Sequence, residues 1–146
     1  MESIDPVDIL LVEDNTSDME LELRALRKHH LADRLHVVRD GAEALDFLFA
    51  AGSYAARSAA KPPRVILLDL KLPKLNGLEA LRRIKADPRT SNIPVVMLTS
   101  SQQQKDIHDC YEAGVNSYIV KPVEFARFEE ALSQTGFYWS SLNQVP

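Results

Sequence analysis

The chain has 146 residues and a formal net charge of -4, enough length for one domain with a real core, and too acidic for a general attraction to nucleic-acid backbone or an anionic membrane. The single cysteine, Cys110, excludes an intramolecular disulfide framework, and Met1-Glu2-Ser3-Ile4-Asp5 is acidic where a signal peptide would be basic. No apolar stretch approaches the roughly 18 to 20 residues that span a bilayer, so a soluble cytoplasmic protein without nucleic-acid or membrane partners is expected.

The first apolar run, Val7-Asp8-Ile9-Leu10-Leu11-Val12, ends at Glu13-Asp14. A near-continuous aliphatic run this short reads as a strand buried on both faces, the mark of a parallel sheet. A helix follows from Asn15 or Thr16, with Asn15 as N-cap and Met19, Leu23 and Leu26 at helical spacing. Leu35-His36-Val37-Val38 is a weaker strand ending at Asp40-Gly41, and Ala44, Leu45 and Leu48 give a second helical stripe that is predicted to end near Gly52. Residues 53–63 form a long helix-to-strand connection at the amino end of the third strand, with no chemistry assigned to it.

Val65-Ile66-Leu67-Leu68 leads to Asp69, followed by Leu70-Lys71-Leu72-Pro73. Asn76 and Glu79 make a capping-box-like start to a third helix whose Leu78, Leu81 and Ile84 face inward and which Asp87-Pro88 stops. Pro94-Val95-Val96-Met97-Leu98 ends at Thr99-Ser100, and Ser101 with Gln104 is predicted to start a fourth helix ending at Gly114. Its thin stripe of Ile107, Cys110 and Tyr111 makes it the least firmly anchored helix. Ser117-Tyr118-Ile119-Val120 ends at Lys121-Pro122, and a last helix carries Phe125, Phe128 and Leu132 to near Gly136. Strands alternating with helices predict an α/β doubly wound parallel sheet, where ligands sit at the carboxyl ends of the strands.

Glu13, Asp14 and Asp69 therefore meet at one edge with Thr99 and Lys121. Two unit charges about 4 Å apart interact by roughly 4 kcal/mol at an effective dielectric near 20, so three carboxylates need compensation. Lys121 supplies one positive charge and a divalent ion two more. Magnesium fits best, because it takes one or two carboxylates plus waters and phosphate oxygens. The implied ligand is a phosphoryl group, which a carboxylate can hold as an acyl phosphate. Asp69, at the end of the most apolar strand, is the acceptor of choice, and Glu13 and Asp14 are metal ligands.

These residues resemble the response-regulator receiver domain of two-component signalling: the acidic pair Glu13-Asp14, Asp69-Leu70-Lys71-Leu72-Pro73 with Asn76-Gly77, then Thr99-Ser100, Tyr118 and Lys121-Pro122. The resemblance runs from about Val7 to Leu132. It implies a flavodoxin-like fold of five parallel strands in the order 2-1-3-4-5, a receiver domain over 1–136 and a tail over 137–146. By the same resemblance Asp69 accepts phosphoryl from a sensor histidine kinase, and Asp14, Asp69 and the Lys71 carbonyl hold magnesium with Glu13 helping through water. Lys121 contacts the phosphoryl group, Lys121-Pro122 is a cis peptide, and Thr99 and Tyr118 carry the switch, Tyr118 by turning inward. Single-domain receivers associated with bacterial phytochromes are similar in the long connection before the third strand and in the extended C-terminus. That similarity implies a phytochrome kinase and a homodimer on the face of helix four, strand five and helix five, signalling to a downstream protein without external substrate turnover.

The tail aromatics Phe137, Tyr138 and Trp139 fit either a dimer interface or docking on the chain's own surface. A haloacid-dehalogenase-type phosphohydrolase would carry a second acid where this chain has Lys71. A dinucleotide-binding domain would carry a glycine-rich turn where it has Glu13-Asp14-Asn15-Thr16. A receiver acting as a constitutive adaptor is disfavoured because every matched position holds a competent residue. His29, His30, His36 and His108 lack paired ligand spacing, and Cys110 reads as a small buried hydrophobe.

Overall fold

The computed structural model describes residues 7–28, 33–57, 61–122 and 124–134. Strands β1 (Ile9–Val12), β2 (Leu35–Val38), β3 (Val65–Asp69), β4 (Val95–Thr99) and β5 (Ser117–Val120) pair in parallel in the order β2-β1-β3-β4-β5. Helices α1 (Thr16–Lys28), α2 (Gly41–Leu48), α3 (Gly77–Ala86), α4 (Gln104–Glu112) and α5 (Phe125–Gln134) alternate with them. The expected doubly wound, flavodoxin-like topology is therefore present. No helix among the described residues is long and apolar enough to cross a membrane.

Successive strand residues point to opposite faces, so the apolar runs supply two cores at once. Ile9, Leu11, Val65, Leu67, Val96, Leu98 and Ile119 pack with Leu26 of α1 and Phe128 of α5. Leu10, Val12, Ile66, Leu68, Val95 and Met97 pack with Phe47 of α2, Leu81 and Ile84 of α3 and Cys110 of α4. Every residue of β1, β3 and β4 is buried, and each such aliphatic side chain contributes roughly 1.5 to 3 kcal/mol. The caps follow the sequence: Asn15 Oδ1 accepts from the Asp18 N–H at 2.9 Å, Asp40 Oδ1 from Glu43 at 2.7 Å and Asn76 Oδ1 from Glu79 at 2.9 Å.

Two boundaries differ from expectation. Helix α2 stops at Leu48, short of Gly52, because a Schellman closure ends it: the Ala51 N–H donates to Asp46 O at 2.9 Å and Ala50 to Phe47 O. Ala50 takes the left-handed position at φ 53 where a glycine is usual, so the sequence carried no marker there. Helix α4 starts at Gln104, three residues past Ser101, and Gln103 offers no side-chain cap. Ser101 still caps from outside: its Oγ accepts the Gln103 N–H at 3.3 Å and bonds Asp106 Oδ2 at 2.5 Å. Cys110 is the one buried residue of α4, in keeping with a thin stripe, but Tyr111 is 51% exposed rather than inward.

The long connection before β3 opens with a 3-10 turn, Gly52–Tyr54, fastened to edge strand β2 and to α2. Tyr54 Oη donates to Glu43 Oε2 at 2.6 Å and lies 2.9 Å from His36 Nε2. The His36 ring stacks on Phe47 at 4.8 Å, and the Arg57 guanidinium covers the Phe47 ring at 3.7 Å. His36 is thus a packing residue, its pKa lowered by burial.

Candidate functional site

Sheet register assembles the carboxyl edge. Val12 pairs with Leu68 and Asp69 with Leu98, so Glu13, one residue past β1, comes beside Asp69 at the end of β3. Thr99 pairs with Val120, which puts Lys121 next along β5. The ladder runs one residue past both strands: the Glu13 N–H donates to Val38 O at 3.0 Å and the Lys121 N–H to Thr99 O at 2.8 Å. After Asp69 the chain folds back tightly on the start of α3. A Cβ on Gly77 would overlap Asp69 O, so only glycine permits that approach.

Lys121 is the hub. Its Nζ lies 2.8 Å from Glu13 Oε1, 2.9 Å from Asp18 Oδ2, 3.5 Å from Asp69 Oδ2 and 3.8 Å from Glu22 Oε2. Burial pulls the ammonium pKa down, but hydrogen bonds to Glu13 and Asp18 and the charges of Asp69 and Glu13 more than offset it, and the group sits above the usual lysine range. Burial, then the charge of Glu13, raises Asp69 to about 7 against the pull of Lys121. Burial, again followed by Glu13, raises Glu22 to about 9. Four acids thus compete for one ammonium, and near neutral pH Asp69 and Glu22 retain protons that exposed carboxyls would lose.

Glu13 and Asp69 were expected here from sequence, and they are 1% and 9% exposed. Asp14 follows Glu13 on the loop after β1 and is exposed. Lys71 is exposed as well, and its N–H donates to Asp69 Oδ1 at 3.4 Å. Buried Thr99 receives the Ser101 N–H on Oγ1 at 3.2 Å. Tyr118 is half-buried against the α2–α3–α4 core, and its hydroxyl donates to Ser101 O at 2.9 Å. The Lys121-Pro122 peptide is cis. Phe137, Tyr138 and Trp139 lie outside the described residues, as do His29 and His30, and nothing describes the side chains of Phe125 and Leu132.

Asp18 and Glu22 were not singled out from sequence as site residues. Asp18 reads as an ordinary first-turn acid that favours the helix dipole. The available signal was spacing: 14, 18 and 22 step by four, and Glu22 falls on the stripe of Met19, Leu23 and Leu26 that faces the core.

Among the described residues, no three acidic, histidine or cysteine side chains converge as a ready metal cage; the carboxylates close on Lys121 instead. The donor set still suits a hard, partly hydrated cation. Glu13 and Asp69 are oxygen donors held close enough to raise the Asp69 pKa, and a small divalent ion needs only one or two carboxylates beside water and carbonyl oxygens.

The family model described as the response regulator receiver domain matches residues 9–133. A probable methanogenesis regulatory protein, FilR2 of Methanothrix harundinacea, is 40% identical over 146 residues, all of this chain and 92% of that protein. The bacteriophytochrome response regulator AtBRR superimposes with a TM-score of 0.82 at 51% identity, covering 93% of this chain and 96% of its own. The Mn(2+)-bound form of response regulator Rcp1, a protein of Synechocystis, gives 0.75 at 36% identity over 97% of this chain and 98% of its own. The phosphorylated cyanobacterial phytochrome response regulator RcpA gives 0.76 at 39% over 94% and 96%.

Proposed function

Because this chain belongs to the response regulator receiver domain family, we propose that it is a phosphorylation-switched response regulator whose acceptor is Asp69. The observation that carries this reading is the convergence of Asp69 and Glu13 on Lys121 Nζ at 3.5 and 2.8 Å. An Asp69 carboxylate oxygen attacks the phosphorus of a kinase phosphohistidine. The P–N bond breaks, the imidazole nitrogen takes up a proton, and an acyl phosphate remains on Asp69. The ionised carboxylate is the nucleophile, so the raised pKa of Asp69 makes a neighbouring cation part of the reaction's requirement. Asp14, Asp69 and the Lys71 carbonyl would hold magnesium, with Glu13 acting through water. Bound there, the metal would neutralise charge on the equatorial oxygens. A manganese-bound structure of Rcp1 supports the ion class.

Lys121 donates to the phosphoryl group, and the Thr99 hydroxyl turns from its Ser101 contact to do the same. Tyr118, packed inward with its hydroxyl on Ser101 O, ties the loop after β4 to that movement, which reaches α4 through Ser101 and Asp106. Taking a two-state element from 1:99 to 99:1 needs about 5.5 kcal/mol. A hydrogen bond to a charged group supplies roughly 1.5 to 3 kcal/mol, so two or three new ones approach that sum.

The kinase is a sensor histidine kinase of bacterial-phytochrome type, a reading supported by the names of AtBRR and RcpA. Output is by protein contact on the α4–β5–α5 face, in a cytoplasmic homodimer to which Phe137, Tyr138 and Trp139 add contact, and the chain turns over no external substrate. The exposed Tyr111 on α4 supports that interface. Incubation with a small phosphodonor, with magnesium or with chelator, tests the reading: label is expected in wild type with magnesium alone and absent from Asp69→Asn. Equal labelling of the variant would overturn it. A monomer at high concentration with and without beryllofluoride would remove the dimer.

A further inference from the structure

Lysine has three N–H donors, and in this structure the hydrogen bonds of Lys121 go to Glu13 and to Asp18 of α1, while Asp69 lies at the longer 3.5 Å. Asp18 and Glu22 stand one turn apart and face the same side of α1, with Glu22 Oε2 3.8 Å from the ammonium. Glu22 is 9% exposed, and its Oε1 is buried with no hydrogen-bond partner. That one oxygen is left without a donor. Beside it lies a cavity of about 480 Å³, lined by Asp18, Glu22, Leu26, Leu98, Lys121 and Phe128 among others, so the lysine is not packed in on its α1 side. Neither α1 acid is the acceptor, and neither has a part in holding metal.

We propose that Asp18 is a positioning residue that parks the Lys121 ammonium on the α1 side of the site, so that phosphoryl on Asp69 must win the lysine from α1. The inference rests on the phosphoryl-acceptor reading and deepens it. Phosphoryl arriving on Asp69 brings charge that draws the ammonium across, and Asp18 opposes the move in proportion to its hold. Loosening that hold speeds phosphorylation and prolongs the phosphorylated state, because Lys121 then stays with the phosphoryl oxygens at less cost. Asp18 sets the lifetime of the signal from outside the reacting atoms.

The test is a double-mutant cycle on the full chain, using magnesium-dependent labelling by a small phosphodonor and loss of label after its removal. Asp18→Asn is expected to label about three- to tenfold faster and to hold label longer, the range that one partly exposed charge-assisted hydrogen bond allows. Asp18→Glu should restore wild-type behaviour. In a Lys121→Gln background the effect of Asp18→Asn should vanish, since a through-space charge effect would survive there and overturn the proposal. The Lys121 ε-carbon NMR shift gives an independent reading if Lys121→Gln labels too slowly to measure. In resting Asp18→Asn it should already lie toward the value that wild type reaches only with beryllofluoride, and a wild-type resting value would overturn the proposal. Labelling at Asp69 with wild-type kinetics in Asp18→Asn would remove this inference alone; no label at Asp69 in wild type would remove the acceptor reading and this with it.

Discussion

Replacing Asp69 by asparagine is expected to stabilise the metal-free protein. The residue is 9% exposed beside Glu13, which is 1% exposed, and its pKa rises from 3.8 to about 7, first through burial and then through the Glu13 charge. A raised carboxyl binds more protons in the native state than in the unfolded one between those two values, so its contribution to stability falls as pH climbs from about 4 through about 7. A shift of about three units corresponds to roughly 4 kcal/mol once the group is ionised, and relaxation of the crowded site brings the expectation to about 2 to 4 kcal/mol. The asparagine side chain carries no charge, so Asp69→Asn should raise the midpoint of thermal unfolding at pH 8 in chelator by about 5 to 12 °C. At pH 5 wild-type Asp69 is protonated in the native state, and the gain should shrink by more than half. Magnesium, which only wild type can bind well, should narrow the gap at pH 8. Circular dichroism melts of both proteins at the two pH values, with chelator or magnesium, measure all of this. A variant no more stable than wild type at pH 8, or a gain of equal size at pH 5, would refute the crowded-carboxylate argument.

Magnesium binding should release protons near neutral pH, because the cation ionises an Asp69 carboxyl whose pKa stands at about 7; titration heats independent of buffer ionisation enthalpy would contradict this. Ser101→Ala removes the outside cap of α4, at a cost of about 1 kcal/mol, and should speed amide exchange through residues 103–107 with little change in α3. Tyr118→Phe deletes the 2.9 Å bond to Ser101 O and should cost about 0.5 to 1.5 kcal/mol while loosening the same loop; unchanged exchange there would show that the bond does not hold it. Gly77→Ala should be among the more damaging single changes near the site, since its Cβ would overlap Asp69 O, and the loss should appear in both unfolding midpoint and phosphoryl labelling.

The strand order and the two-sided core were legible because β1 is apolar throughout and β3 and β4 are apolar up to their last residue, a pattern that suits strands buried on both faces of a parallel sheet. The convergence of Glu13, Asp69 and Lys121 then followed from strand ends alone. What escaped were features set by tertiary contact. Helix α2 closes on Ala50, a residue with no intrinsic preference for positive φ. Ser101 does act as a cap, but from two residues before the N-cap position Gln103 and through Asp106 rather than Gln104. Tyr111 keeps helical spacing with Ile107, four residues earlier on α4, yet faces outward. Asp18 and Glu22 looked like ordinary helix acids, and only Lys121, far along the chain on the last strand's end, gives them a role.

The central claim is that Asp69 takes the phosphoryl group. Reduction of the labelled protein with borohydride converts an acyl phosphate to the corresponding alcohol, and peptide mapping then locates it. The account predicts homoserine at position 69 in wild type after magnesium-dependent labelling. Reduction product at Glu13, Asp14 or any other carboxyl, with Asp69 intact, would contradict it.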